Sequence, residues 1–375
     1  MIIRKTQALL SANLFKKKVL ILLGARQTGK STLVKELLKD FTENEKQYLD
    51  CDDVTIRESL SNQSISELRR VVGSSKIIVI DEAQRVKNVG LSLKMMADNF
   101  PDCQIVATGS SSLELSNQIN EPLTGRKFEY QLFPISWIEL SEHFGYLQTK
   151  AQLDQRLIYG MYPDVLNNAG DEGKILQNLA SSYLFKDLLQ YQNIRKPELL
   201  DKLLKALALQ IGSEVSYPEL GNLLGVDKNT VETYIDLLEK SFVVFRLNPF
   251  SRNLRNELNK KRKVFFYDTG IRNAIIGDFR PLSLRQDVGN LWENFLMAER
   301  KKSNEYNENY VNAYFWRTHQ QQEIDYVEDK NGQLRAFEFK WNVNKKVKPP
   351  QLFTDTYAGS TFEVISKDNF YHFLE

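Results

Sequence analysis

The stretch KVLILLGARQTGKSTL, Lys18 to Leu33, decides the first fold in this chain. Val19 to Leu23 is an unbroken apolar run suited to a buried strand, while Leu33, Val34, Leu37 and Leu38 recur at helical spacing. Between them lies Gly24-x-x-x-x-Gly29-Lys30-Ser31, the Walker A spacing of a phosphate-binding loop. Its glycines let backbone N–H groups turn inward around a triphosphate. Gly24, Ala25, Arg26, Gln27, Thr28, Gly29, Lys30, Ser31 and Thr32 are therefore the expected ATP contacts. Lys30 would reach the β and γ phosphates and Ser31 would offer its hydroxyl to Mg²⁺. The helix opening at Thr32 favours the anion through its N-terminal N–H groups and dipole.

The chain has 375 residues, enough for two or three domains that each bury a core, so one nucleotide-binding domain cannot account for all of it. A net charge of +2 with 26% charged residues requires any nucleic-acid contact to come from a local patch. Cys51 and Cys103 lie in different expected strands and read as reduced thiols, since two isolated cysteines suggest neither a zinc site nor a disulfide scaffold. The N-terminus mixes charge throughout and no apolar run approaches membrane-spanning length, so no membrane contact and a cytoplasmic location are expected.

Downstream, QYLDC (Gln47 to Cys51) reads as a short strand, and Ser64-x-x-Glu67 as a capping box. KIIVIDEAQ follows, with Ile77 to Ile80 a buried strand that delivers Asp81 and Glu82 to its C-terminal end, where α/β sheets bind ligands. Asp81 would hold Mg²⁺ through its water shell, and Glu82 would orient and deprotonate the attacking water. QIVATGSSS ends a further strand in hydroxyls. Thr108 or Ser110 could sense the γ-phosphate there, unless the serines only cap the next helix. Arg126 precedes a fifth strand, Phe128 to Leu132. It reads either as an arginine finger, acting in cis or on a neighbouring subunit of a homo-oligomer, or as a surface salt-bridge residue.

GARQTGKS, IVIDEAQ, ATGSSS, LTGRK and LFPISWIEL, in this order, resemble the prokaryotic AAA-type ATPases that carry a C-terminal domain of unknown function. YGMYPDVL, FFYDTG, EIDYV and EFK extend the resemblance over nearly the whole chain. It implies an α/β fold class: an AAA-type P-loop sheet over residues 1–145, a helical lid or linker over 146–198, and two further domains.

Leu199, Leu203 and Leu207 mark one helix of the third part, 199–258. Ser216-x-x-Glu219 caps a second that stops at Gly225, and Asp227 and Thr230 open a third. With the strand Phe242 to Leu247 this reads as a winged helix-turn-helix. The third helix, Asp227 to Lys240, carries Lys228 and Lys240 against Asp227, Glu232, Asp236 and Glu239, a net −2 that phosphates repel. Residues 252–263 hold Arg252, Arg255, Lys260, Lys261, Arg262 and Lys263 against Glu257, a net +5. That stripe suits a DNA backbone, or is a solvated linker.

In the last part, 259–375, Asn331-Gly332 signals a two-residue hairpin turn. Lys330 then faces Gln333, Tyr326 faces Phe337 and Asp325 faces Glu338, with one face apolar and the other carrying Glu323, Asp325, Glu338 and Lys340. Glu293, Asp325 and Glu338-x-Lys340 resemble the restriction-endonuclease-like fold, which implies a second divalent-metal site on these carboxylates beside Lys340. The expected activity is Mg²⁺-dependent ATP hydrolysis, coupled to a module that acts on DNA. The competing reading is an ATP-dependent switch or adaptor that recruits DNA or protein without cleavage.

Overall fold

Residues 1–110, 119–183, 197–250, 261–318, 320–342 and 347–375 are described by the computed structural model. They fall into two units, Met1–Ile135 with Lys240–Phe242, and Ser136–Glu239 with Val243–Glu375. In the first unit β1 (Val19–Leu23), β2 (Lys46–Asp50), β3 (Ile77–Asp81), β4 (Gln104–Gly109) and β5 (Lys127–Gln131) form a parallel sheet in the order β2-β3-β4-β1-β5. Every residue of β1, β3 and β4 is buried. A parallel sheet covered on both faces requires this, and these strands are accordingly near-continuous apolar runs. Leu20, Leu22, Leu33, Val34, Val79 and Val106 share one core, each worth about 1.5–3 kcal/mol of burial. Since all five strands run the same way, the loops after β1, β3 and β4 leave from one sheet edge.

The first unit stops at Ile135 rather than at residue 145. Ser136 closes a capping box with Glu139 over the helix Trp137–Phe144, and the Trp137 N–H donates to the buried Glu299 carboxylate at 2.6 Å. The Trp137 ring meets Phe295 and Phe370 edge-on, so this helix belongs to the second unit. The helices expected as a nucleotide lid belong there too. Asn273, on the helix Thr269–Ile276, donates to the carbonyls of Leu157 and Ile158, and Asp268 accepts from the Met161 N–H.

The helices Pro197–Leu209, Tyr217–Leu224 and Lys228–Lys240 surround β6 (Glu214–Val215), β7 (Val244–Pro249) and β8 (Arg262–Phe266). Strand β8 pairs antiparallel with both β6 and β7, and Leu203, Leu220, Ile235, Val244, Val264 and Phe266 form one core. A boundary at 258/259 would therefore cut a paired two-strand unit. Strand β7 also runs parallel to β9 (Asn312–Arg317). A single seven-stranded sheet thus continues through β10 (Glu323–Lys330), β11 (Gln333–Phe339) and β12 (Thr361–Ile365) in the order β12-β11-β10-β9-β7-β8-β6.

The β10–β11 hairpin has the expected register, Tyr326 opposite Phe337 and Lys330 opposite Gln333, with Asn331 and Gly332 both at positive φ as its tight turn needs. Its faces differ from expectation because both are covered. Tyr326, Phe337 and Phe339 pack on Phe373, whereas Ile324, Val327, Leu334 and Ala336 pack with Phe353. A register shift between Ile324 and Val327 lets both join that second cluster. Among the described residues no helix is long and apolar enough to cross a membrane.

Candidate functional site

The loop after β1 turns tightly into the helix Lys30–Leu37. A Cβ on Gly24 would lie 2.2 Å from the Leu132 carbonyl oxygen, where the chain leaves β5, and Gly29 sits at φ +96°. Both positions thus demand glycine for backbone reasons. The buried Thr28 hydroxyl donates to the Ala25 carbonyl at 2.8 Å. From outside the motif, Arg4 donates to the carbonyls of Thr28 (2.8 Å) and Phe133 (2.6 Å), tying the loop to the exit of β5. The Lys30 ammonium donates to the Gly24 and Ala25 carbonyls, both at 2.9 Å, so it already lies across the loop mouth. Ser31 and Thr32 follow in the first helical turn, and Arg26 and Gln27 form the loop crest with Gln27 at positive φ. Gly24→Ala is expected to lose about 1–3 kcal/mol or more from the first unit by displacing β5, and to weaken ATP binding with it. Far-UV circular dichroism melts and fluorescent-nucleotide titration check this.

Asp81 ends β3 and is buried. Its two carboxylate oxygens accept from the Thr108 and Tyr48 hydroxyls. Burial and the Asp81 carboxylate together push the Tyr48 phenol well above its usual range, so it stays a donor. Glu82 lies in the left-handed region, φ 53° and ψ 43°, and its N–H donates to Thr108 Oγ1 at 3.1 Å. Such backbone is costly for a non-glycine residue and is kept where surrounding bonds over-determine it. Gln84 Nε2 supplies two of them, to Glu82 Oε2 at 2.6 Å and to Ser110 Oγ at 3.1 Å. Thr108 and Ser110 therefore hold Asp81 and Glu82 in place through hydrogen bonds. Tyr48, Gln84 and Arg4 were missed in the sequence. Only Gln84, two residues past Glu82 in DEAQ, carried a local signal.

The donor set fits ATP with Mg²⁺: an ammonium across a glycine loop, a helix N-terminus, and the hard oxygens of Ser31 and Asp81. Residues 16–141 match the AAA domain family, residues 150–282 a domain of unknown function (DUF8612), and residues 288–369 a second (DUF4143). The chain thus carries an AAA domain of P-loop type and, after it, a DUF4143 domain. An uncharacterized protein of Mycobacterium tuberculosis is 26% identical, covering 90% of this chain and 73% of that protein. Another, of Methanocaldococcus jannaschii, is 22% identical, covering 96% and 87%. A Walker-type ATPase of Pyrococcus abyssi shares the fold at 16% identity and a TM-score of 0.50, covering 74% of this chain and 96% of that one.

In the AAA domain Arg126 does not lie at the P-loop edge. Its carbonyl accepts from the Val19 N–H and Lys127 pairs with Val19, so it sits where β1 and β5 begin, whereas the P-loop follows the end of β1. Five residues of strand at about 3.3 Å each separate the two edges, which excludes a finger acting in cis. Arg126 forms a half-exposed ion pair with Asp98 at 2.7 Å.

The DUF4143 carboxylates do converge, but not on an open metal position. Glu293 comes from the helix Val288–Tyr306, Asp325 accepts from the Phe339 N–H at 2.8 Å, and Glu338 accepts from Lys340 at 2.6 Å. Lys263 of β8 enters the same cluster. Its ammonium lies 2.9 Å from Glu293, 2.6 Å from Glu323 and 4.0 Å from Asp325. Burial opposes the charge on Lys263, yet Glu293, Asp325 and Glu323 together raise its pKa. Burial pushes Glu293 up to about 8 against the pull of Lys263, and raises Asp325 and Glu338 as well. Among the described residues no group of three or more His, Cys, Asp or Glu is arranged to hold a metal ion; the expected ligands Glu293 and Asp325 stand around the Lys263 ammonium, and Glu338 is bonded by Lys340. The hairpin register and the order of Glu293, Asp325, Glu338 and Lys340 carried that expectation, and Lys263 reaches the cluster only through the continuity of the sheet.

The basic stripe changes in the same way. Arg252, Arg255 and Lys260 lie outside the described residues. Lys261 and Arg262 face Glu219 and Glu232 at 3.5 and 3.6 Å, and Lys263 is buried. The acidic third helix also gives Asp236 and Glu239 to Arg246 at 2.6 and 2.5 Å. Helix and stripe thus neutralise part of each other, and Lys261, Arg262 and Lys263 do not form a free cationic surface.

Proposed function

We propose that this AAA-type ATPase hydrolyses ATP with Mg²⁺ at the loop Gly24 to Thr32. What supports this reading is the Lys30 ammonium lying across the glycine loop on the Gly24 and Ala25 carbonyls, with Asp81 fixed at the end of β3 by the Tyr48 and Thr108 hydroxyls. Bound Mg²⁺ would neutralise charge on the β and γ phosphates and order them for in-line attack. Lys30 holds the phosphate oxygens, Ser31 and Asp81 hold the metal and its waters, and Glu82 takes a proton from the attacking water. Thr108, Ser110 and Gln84 keep the Asp81 and Glu82 carboxylates in register. Lys30→Ala and Asp81→Asn should each abolish Mg²⁺-dependent phosphate release, and wild-type turnover in either would overturn the assignment.

Arg126 is left with a role on a neighbouring copy, which makes a homo-oligomer part of the proposal. Mixing Arg126→Ala chains with Glu82→Gln chains should then restore turnover that neither has alone, because some interfaces pair an intact Glu82 with an intact Arg126. No recovery in a confirmed mixed oligomer would leave Arg126 as the partner of Asp98.

The second unit supports a winged helix joined to a nuclease-like sheet, in its helix, strand, helix, helix, strand, strand order and in the convergence of Glu293, Asp325 and Glu338. We assign DNA-backbone contact to residues 252–260. Reversing Arg252, Arg255 and Lys260 to Glu should remove a weak, steeply salt-dependent binding. Lys263 is left intact in that test, because a glutamate in its place would add a carboxylate to a buried acidic cluster. Unchanged DNA binding, or unchanged DNA stimulation of the ATPase, would mark the stretch as a linker.

A further inference from the structure

We propose that Lys263 is the resident cation of the Glu293, Glu323, Asp325 and Glu338 cradle, and that it keeps divalent metal out of the C-terminal domain. The inference stands apart from ATP turnover. It rests on where one ammonium lies and on why it cannot leave. Lys263 is 2% exposed, and its ammonium bonds carboxylates from two elements, Glu293 of the helix Val288–Tyr306 and Glu323 of β10, with Asp325 beside them. An ammonium carries three donors and no acceptor, so it can satisfy this ring as a metal would, but with N–O contacts of hydrogen-bond length.

The Lys263 backbone is fixed on both sides, paired with Leu247 of β7 and with Glu214 of β6. It sits on an inner strand of the sheet, so its Cα and Cβ cannot shift away from the carboxylates without breaking two ladders. Space is closed from the helix side as well. A Cβ on Gly212 would approach Glu293 Oε2 to 2.9 Å, and the Lys263 ammonium stands 5.6 Å from the centre of the Phe315 ring. The remaining carboxylate charge is also met. Arg317 of β9 lies 3.7 Å from Glu323 and 3.2 Å from Glu214, and Lys340 lies 2.6 Å from Glu338. Magnesium or manganese binds carboxylate oxygen at about 2.0–2.2 Å, and a fixed cation bonded to the same carboxylates repels it. The cradle therefore joins β8, β10 and the long helix by charge. It supplies no metal-activated water, and the DUF4143 domain does not cleave phosphodiesters by that route.

The test is Mn²⁺ binding, followed by electron paramagnetic resonance on the full chain without nucleotide in a Lys30→Ala background, which weakens ion capture at the P-loop. The chain with Asp325 intact should bind no more Mn²⁺ than the same chain carrying Asp325→Asn, and neither should nick plasmid DNA in Mn²⁺. Lys263→Met should gain one bound Mn²⁺ per chain, lost again in Lys263→Met with Asp325→Asn, whereas Lys263→Arg should gain none. Mn²⁺ bound with Lys263 intact and lost in Asp325→Asn would overturn the proposal. So would a Lys263→Met chain that keeps its native tryptophan fluorescence and gains no ion. If Lys263→Met does not fold, the comparison with and without Asp325→Asn in chains that retain Lys263 decides by itself.

Discussion

Glu82→Gln is expected to lower kcat for ATP hydrolysis by about 10²–10⁴-fold while leaving ATP affinity nearly unchanged. The substitution is nearly isosteric and its amide can still meet Gln84, so the left-handed backbone at φ 53°, its N–H bond to Thr108 and the Gln84 bond to Ser110 persist. Only the capacity to accept a proton from water is removed. Lys30 and the glycine loop, which bind the phosphates, are untouched. Phosphate-release kinetics with a parallel nucleotide titration separate the two effects. A variant with wild-type kcat would take Glu82 out of the chemistry, and one that loses ATP affinity in proportion would make it a structural residue of the loop.

The second large effect is on stability. Arg300 of the helix Val288–Tyr306 meets Glu328 of β10 through two bonds, 2.7 and 2.8 Å, and also donates to the Phe373 carbonyl at 2.5 Å. Both side chains are buried, and the Tyr326 hydroxyl donates to Glu328 at 2.9 Å. Burial alone would raise the Glu328 pKa, yet the Arg300 guanidinium holds it below the usual carboxylate range. Removing Arg300 leaves a carboxylate uncompensated in the interior, a loss of about 3–5 kcal/mol. Arg300→Leu should therefore shift the urea midpoint of the second unit strongly downward. Trp137, Trp292, Trp316 and Trp341 all lie in that unit, so intrinsic fluorescence reads its unfolding alone. Because the lowered folded pKa of Glu328 adds stability only while the group is ionised, the wild-type advantage over Arg300→Leu should be full near neutral pH. It should shrink as pH falls below the ordinary Glu value and through the depressed one. A midpoint unchanged from wild type would show that the pair contributes no net stability.

What the sequence determined by itself is what neighbouring residues can encode. Apolar runs at Val19 to Leu23 and Ile77 to Ile80 specified buried parallel strands, because a strand covered on both faces must be apolar throughout. The spacing from Gly24 to Ser31 specified a loop whose backbone only glycine permits, and Asn331-Gly332 specified a hairpin register, since a two-residue turn leaves no freedom in pairing. The capping box at Ser64 is likewise a contact three residues apart. The tertiary structure decided everything that depends on which strand lies beside which. Tyr48 reaches Asp81 because β2 flanks β3, and Arg126 lies far from the P-loop because β1 and β5 are parallel. Lys263 reads in the sequence as the end of a solvated basic run. It becomes the buried partner of Glu293 and Glu323 because β7 pairs with β8 on one side and β9 on the other, which carries a charge from one module into the next. Charge patterns along a chain give the sign of a side chain but not the distance to its counter-ion, and that distance is set only when the sheet closes.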